Sequence, residues 1–233
     1  MIGLIGKKLG HTRVYDAEGN VVPVTVICAG PNYVLQCKTT ETDGYNAVQL
    51  GFDPQKKSRL NKPLLGHIEK FKGAPVKKIK EFRNFTLTVK PGDVIGAKVF
   101  APGDFVDCIG ITKGRGFEGV VKRHGFNGGD LTHGSKGWHR RPGAIGQRLF
   151  PGTVKRGMKM PGHMGQVKRT VQNLEVVQVL EEDNILLIKG SMPGSEGDYV
   201  IIRESKKKPK GTPKKKAQQP VKASKAKAAA AKK

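Results

Sequence analysis

From Thr112 to Arg169 the chain carries lysine and arginine throughout and fourteen glycines, but only two acids, Glu118 and Asp130, and no apolar periodicity from which an interior could be built. Connections longer than about 12 to 15 residues without structure of their own are uncommon in compact domains, and are usually functional or unfolded. Alone in water such a segment repels itself. Surrounding it with phosphate is the simplest way to order it, because phosphate neutralises the cations while glycine lets the backbone come close. The stretch is therefore expected to be a loop that lies on a polyanion.

The net charge of +24 supports this by its distribution. Ser205 to Lys233 contains 12 lysines and no acid, and adds Ala and Pro but almost nothing that could be buried. A segment of that composition cannot offset its ordering entropy and is expected to be disordered. Without these two cationic parts the chain is nearly neutral, a body of about 146 residues, enough for one sizeable core. Cys28, Cys37 and Cys108 are few and odd in number and sit in apolar runs, so they read as core residues in a reducing compartment. Lys7 and Lys8 interrupt the first apolar residues, and neither a signal peptide nor a membrane span is expected, which makes the chain cytoplasmic.

Short β-branched runs recur between turn signals. Val21 to Ile27, Tyr33 to Thr39, Ala47 to Phe52, Phe105 to Ile111, Thr170 to Val179, Asn184 to Lys189 and Tyr199 to Arg203 are expected strands. Many short strands at this spacing suggest a barrel or sandwich, so the fold class is mainly β. Two Pro-Gly-Asp turns, at Pro91 and Pro102, precede alternating apolar residues and suggest adjacent antiparallel strands. Between Gln55 and Phe82 the spacing of Leu64, Leu65, Ile68 and Phe71, then Val76, Ile79 and Phe82, suggests a small helical or mixed insert.

Two motifs invite enzymatic readings. Gly114-Arg115-Gly116-Phe117-Glu118-Gly119 matches a dinucleotide fingerprint, but such a unit needs a full helix and an acid about 20 residues on. Gly125, Gly128 and Gly129 would break that helix, and His139-Arg140-Arg141 stands where the acid should be. His124, His133, His139 and His163 fall in the same stretch without metal-ligand spacing or carboxylate partners, so no metal, cofactor or acid-base site is expected. Histidine beside arginine suits phosphate or base contact. Arginine adds a planar fork for phosphate and a face for bases. Trp138, the only tryptophan, could equally anchor the loop on the body or stack on RNA.

The order of motifs then becomes informative: Met1-Ile2-Gly3-Leu4-Ile5-Gly6-Lys7-Lys8-Leu9-Gly10, Gly114-Arg115-Gly116-Phe117 with Lys122-Arg123, Thr132-His133-Gly134-Ser135, His139-Arg140-Arg141-Pro142-Gly143-Ala144-Ile145-Gly146, Met160-Pro161-Gly162-His163-Met164-Gly165 and Thr170-Val171-Gln172-Asn173-Leu174. From Met1 to about Arg203 the chain resembles the bacterial large-subunit ribosomal protein three family. The resemblance implies a six-stranded barrel of the translation-factor type with a small α+β insert, and a long extension threading rRNA toward the peptidyl transferase centre. It also implies a primary binder of 23S-type rRNA near its 3′ end that nucleates subunit assembly beside ribosomal proteins fourteen and nineteen. His11 stands where the family usually has Met. Leu149 occupies the tip position that is a methylated glutamine in some relatives, so that modification is not expected.

The expected organisation is barrel strands in 1–54, a small insert in 55–85, barrel strands in 86–111, the basic extension in 112–169, the last barrel strands in 170–204 and the tail in 205–233. The expected rRNA contacts are Lys113, Arg115, Lys122 and Arg123 at the start of the extension and His133, His139, Arg140 and Arg141 in its middle. Gln147 and Arg148 follow at the tip, with Lys155, Arg156, Lys159, His163, Lys168 and Arg169 on the return. No catalytic residue, membrane partner or small-molecule substrate is expected. A DNA-compacting protein driven by the tail, and a nucleotide-dependent enzyme, are the competing readings.

Overall fold

A computed structural model describes residues 1–71 and 73–208. Its strands are β1 (Gly3–Tyr15), β2 (Val21–Cys28), β3 (Asn32–Lys38), β4 (Ala47–Pro54), β5 (Val76–Arg83), β6 (Val94–Ile95), β7 (Phe105–Ile111), β8 (Phe117–Glu118), β9 (Gly162–His163), β10 (Lys168–Leu180), β11 (Ile185–Lys189) and β12 (Tyr199–Glu204). Three short α-helices, α1 (Thr40–Asp43), α2 (Lys62–Lys70) and α3 (Val120–His124), and two 3-10 turns, Lys57–Arg59 and Ala97–Val99, complete the described residues.

Six strands close into an antiparallel barrel in the order β1-β12-β7-β10-β11-β2. Closure removes sheet edges, and it requires strands long enough to bend between neighbours. The 13-residue β1 does this by pairing Gly3 to Lys7 with β12 and Lys7 to Tyr15 with β2, through an irregularity between Lys8 and Gly10. Gly6 sits where a Cβ would lie 2.7 Å from Ile27 Cγ2 and 3.0 Å from the Cys28 carbonyl, so the barrel wall has no room for a side chain there. On β7, between β12 and β10, buried Asp107 accepts from the Asn173 N–H at 3.1 Å and is paired with Arg203 at 3.4 Å. Just beyond β12, the Ser205 hydroxyl donates to Asn173 Oδ1 at 2.7 Å.

The other four strands form a second sheet, β5-β4-β3-β6. The sequence pattern puts β3 and β4 in the barrel; the pairing puts them here, because β4 finds its partner in β5 over seven matched positions, Ala47 to Pro54 against Arg83 to Val76. That ladder also overrides the helix-like spacing of Val76, Ile79 and Phe82. α2 does form where Leu64, Leu65 and Ile68 suggested it, and covers the outer face of this sheet through Leu35, Leu60, Ile68 and Val76. The inner face is continuous with the barrel core, where Val34, Leu50 and Phe52 join Leu4, Ile27 and Ile202. Asn32 fastens the two layers: it accepts from the Ile5 N–H at 3.1 Å and donates to the Ile5 and Ala29 carbonyls at 3.1 and 2.8 Å.

The two Pro-Gly-Asp turns do not lead into neighbouring strands. Their shared feature is local chemistry, a left-handed glycine (Gly92, Gly103) followed by an aspartate that accepts the N–H three residues back, from Lys90 at 2.7 Å and from Ala101 at 2.9 Å. After the first, the chain adds only β6 to the second sheet; after the second, it enters the barrel as β7. Cys28, Cys37 and Cys108 are all free thiols, and burial pushes the Cys108 thiol pKa well up. Of the expected disordered tail, Ser205 to Lys208 are placed just past β12 without forming strand, Ser205 being buried and its N–H donating to the Phe105 carbonyl; the rest lies outside the described residues.

Candidate nucleic-acid interface

The connection between β7 and β10 starts with a braced root. The Thr112 N–H donates to the Val167 carbonyl at 3.0 Å, the Arg115 N–H to Met164 at 2.9 Å, and β8 pairs with β9. α3 adds two side-chain ties to one carbonyl: Arg123 Nη1 donates to Met160 O at 2.7 Å and His124 Nε2 lies 3.0 Å from it. Gly165 is left-handed, and a Cβ there would run into the Lys113 carbonyl. The same holds at Gly128 against the His139 carbonyl. At these two positions glycine serves the approach of protein backbone to protein backbone, a role distinct from the approach to phosphate suggested by composition.

Beyond the root there is almost no interior. Among residues 112–169 only Val120 is buried. Leu131, Leu149, Phe150 and Phe117 are each more than three-quarters exposed. Arg140, Arg141, Gln147, Arg148, Lys155, Arg156, Lys159 and His133 all face solvent. Trp138 is 57% exposed, so it does not anchor the segment to the body; the Arg141 guanidinium lies 4.6 Å from its ring centroid. His139 is half-buried, and its Nδ1 is enclosed without a hydrogen-bond partner.

The structure gathers five of the expected contact residues, Lys113, Arg115, Arg123, His163 and Arg169, around one cleft of about 740 Å³ between the barrel edge and the root. Their neighbours there include Lys8 and His11 of β1 and the turn Met192 to Gly194. A smaller cavity of about 290 Å³ lies by Trp138 and Arg141. Lys122 is partly neutralised by Glu118 at 2.5 Å, and Arg123 is committed to Met160, so both have a bracing role inside the protein.

Neither Lys8 nor His11 was among the expected contact residues, although His11 stood out from sequence as a departure from the family pattern. A lysine in an apolar strand between Gly6 and Gly10 was the available signal, since a buried ammonium needs partners. Lys8 is 3% exposed, and its Nζ donates to the Met192 carbonyl at 3.1 Å and the Gly194 carbonyl at 2.9 Å. Burial holds its pKa below the ordinary lysine value and Lys113 adds to this, against the opposing influence of Glu196 and Asp198. Thr25 has one hydroxyl proton and gives it to the Gly190 carbonyl at 2.6 Å, so the 3.0 Å contact with His11 Nδ1 requires Nδ1–H to donate to Thr25. The His11 ring is thereby fixed at the cleft.

What this geometry offers is cations and donors, suited to an anionic partner rich in acceptors. Among the described residues no group of three His, Cys, Asp or Glu could hold a metal, and no helix is long and apolar enough to cross a membrane. A family profile described as Ribosomal protein L3 matches residues 70–184. The Large ribosomal subunit protein uL3 of Akkermansia muciniphila is 50% identical over 210 residues, which cover 89% of this chain and 99% of that protein. The chain belongs to the ribosomal protein L3 family.

Proposed function

We propose that the chain is a noncatalytic, structural constituent of the cytoplasmic large ribosomal subunit and a primary binder of 23S-type rRNA. In this reading the barrel, of the translation-factor type, docks on the RNA surface near the 3′ end of the rRNA and nucleates assembly. The 112–169 segment extends toward the peptidyl transferase centre, and ribosomal proteins fourteen and nineteen are the neighbours. One observation carries the reading: beyond its braced root, this connection of 58 residues exposes cations along its length and has almost no interior, a single side chain being buried, and in this reading the rest of its order is supplied from outside. Polyanion does that by charge neutralisation and counterion release.

The exposed cations Arg140, Arg141, Arg148, Lys155, Arg156 and Lys159 are the intended phosphate contacts, and His133, His139 and Gln147 add hydrogen bonds. Replacing Arg140 and Arg141 together with Ala should weaken binding to a large-subunit rRNA transcript and flatten its salt dependence by about 0.7 to 0.9 logarithmic units per lost phosphate contact. Unchanged affinity and slope would count against the assignment. Truncation after Lys208 separates this from tail-driven DNA compaction and spares the Ser205 contacts to the barrel. A ribosomal protein keeps most of its rRNA affinity, whereas a compactor loses its binding.

A further inference from the structure

The cleft at the root has a composition that cations alone do not explain. Its charged rim is Lys113, Arg115 and Arg169, all exposed. Its remaining wall includes Met164, Val167 and Pro193, flat or polarizable apolar surface unsuited to a bare phosphate. At its floor Lys8 has three ammonium protons, of which the Met192 and Gly194 carbonyls take two. The third has no partner among the described residues. Glu196 and Asp198 lie near enough to act on Lys8, but Asp198 is occupied by the Ser195 N–H at 2.6 Å and neither carboxylate bonds the ammonium. At about 740 Å³ the cleft is within the range that holds a small molecule. It requires an occupant with an anionic group, an apolar face and an acceptor at its inner end.

We propose that this cleft receives a single unpaired nucleotide of the large-subunit rRNA, its phosphate on the Lys113, Arg115 and Arg169 rim, its base against Met164, Val167 and Pro193, and a base acceptor on Lys8. The inference rests on the rRNA-binding reading above and deepens it. A paired A-form helix can only lie across the opening, because its bases are stacked and its grooves admit few side chains; a splayed base can enter. The inserted nucleotide touches β1, β10 and both sides of the root, and so fixes the connection relative to the barrel. Assembly gains a keyed contact where the remaining cations supply only unkeyed attraction.

The test is nucleotide-resolution 2′-hydroxyl probing of a large-subunit rRNA transcript bound to the full chain and to three variants. Val167→Trp fills the cleft without changing charge, at a side chain that is 45% exposed and so tolerates the larger ring. Lys8→Met removes the inner donor, and Lys113→Gln removes a rim charge. Val167→Trp and Lys8→Met should expose the same one or two nucleotides and leave other protections in place. Lys113→Gln should lower the slope by about 0.7 to 0.9. Footprints of Val167→Trp identical to the wild type would overturn the insertion, including the case in which Lys113→Gln alone has an effect and the cleft is only a charged rim. If Lys8→Met does not fold, Val167→Trp decides. A wild-type chain that binds no transcript would overturn the ribosomal reading itself.

Discussion

The Tyr199 hydroxyl donates to Asp53 Oδ2 at 2.6 Å, joining barrel strand β12 to the end of β4 in the second sheet across 146 residues of sequence. Asp53 adopts a left-handed backbone, φ 63°, to present its carboxylate there, and Phe52 packs edge-on to the Tyr199 ring. Burial, then the Asp53 contact, push the phenol pKa up from 10 to about 12, although Lys77 and Lys78 lie within 6 Å of the ring.

An alkaline stability change follows from that shift. A group whose pKa is higher in the folded than in the unfolded state stabilises fully below the unfolded value and loses its effect as pH rises through the folded one. The Tyr199 contribution should therefore be intact below pH 10 and fade toward about 12. Urea denaturation across this range should show a stability loss that is smaller in Tyr199→Phe; an identical pH slope in that variant would refute the role of the contact.

Gly6 makes a prediction about the barrel. A methyl group there meets Ile27 Cγ2 at 2.7 Å and the Cys28 carbonyl at 3.0 Å. Overpacking of this kind costs about 1 to 3 kcal/mol. Gly6→Ala should lower the urea midpoint accordingly, whereas Gly66→Ala, with open space around it in α2, should be neutral or slightly stabilising. Equal midpoints for the two variants would show that the barrel wall yields at Gly6.

How much of this was legible in the sequence depended on whether a residue's partners were local. β2, β7, β11 and β12 were readable to within a residue or two because short β-branched runs bounded by turn residues are local signals. β1 was not, since its Gly-Lys-Lys interior breaks alternation and Lys8 is buried only by virtue of carbonyls 184 and 186 residues away. The membership of β3 and β4 in the second sheet was equally hidden, because a β-branched run shows that a strand forms but not which sheet it joins. The cations of 112–169 were visible as a class. Which of them brace the protein and which face outward depends on Met160 and Glu118, contacts that spacing alone does not weigh.

Arg123 and Arg140 should therefore behave differently although both are arginines in the same segment. Arg123 Nη1 holds the Met160 carbonyl, a charge-assisted bond that ties α3 to the returning chain. Arg123→Ala should raise the rate of limited proteolysis between Lys155 and Lys168 even without RNA. Arg140→Ala should leave that rate unchanged and lower rRNA affinity. Equal protease sensitivity in both variants would mean the root is not braced at Met160.

Trp138 allows the free and bound segment to be compared directly. It is the only tryptophan in the chain, it is 57% exposed, and Arg141 stacks on it at 4.6 Å. Its fluorescence therefore reports on this segment alone, with no contribution from the barrel. In the free protein iodide should quench it readily, helped by the surrounding cations, and Arg141→Ala should increase exposure of the ring while removing a cation–π contact worth about 0.5 to 1 kcal/mol. Adding a large-subunit rRNA transcript should suppress iodide quenching, because phosphate excludes the anion and a base can take the ring face that Arg141 leaves open. Quenching that is already weak without RNA would place Trp138 in an apolar contact, and the segment would then have an interior of its own.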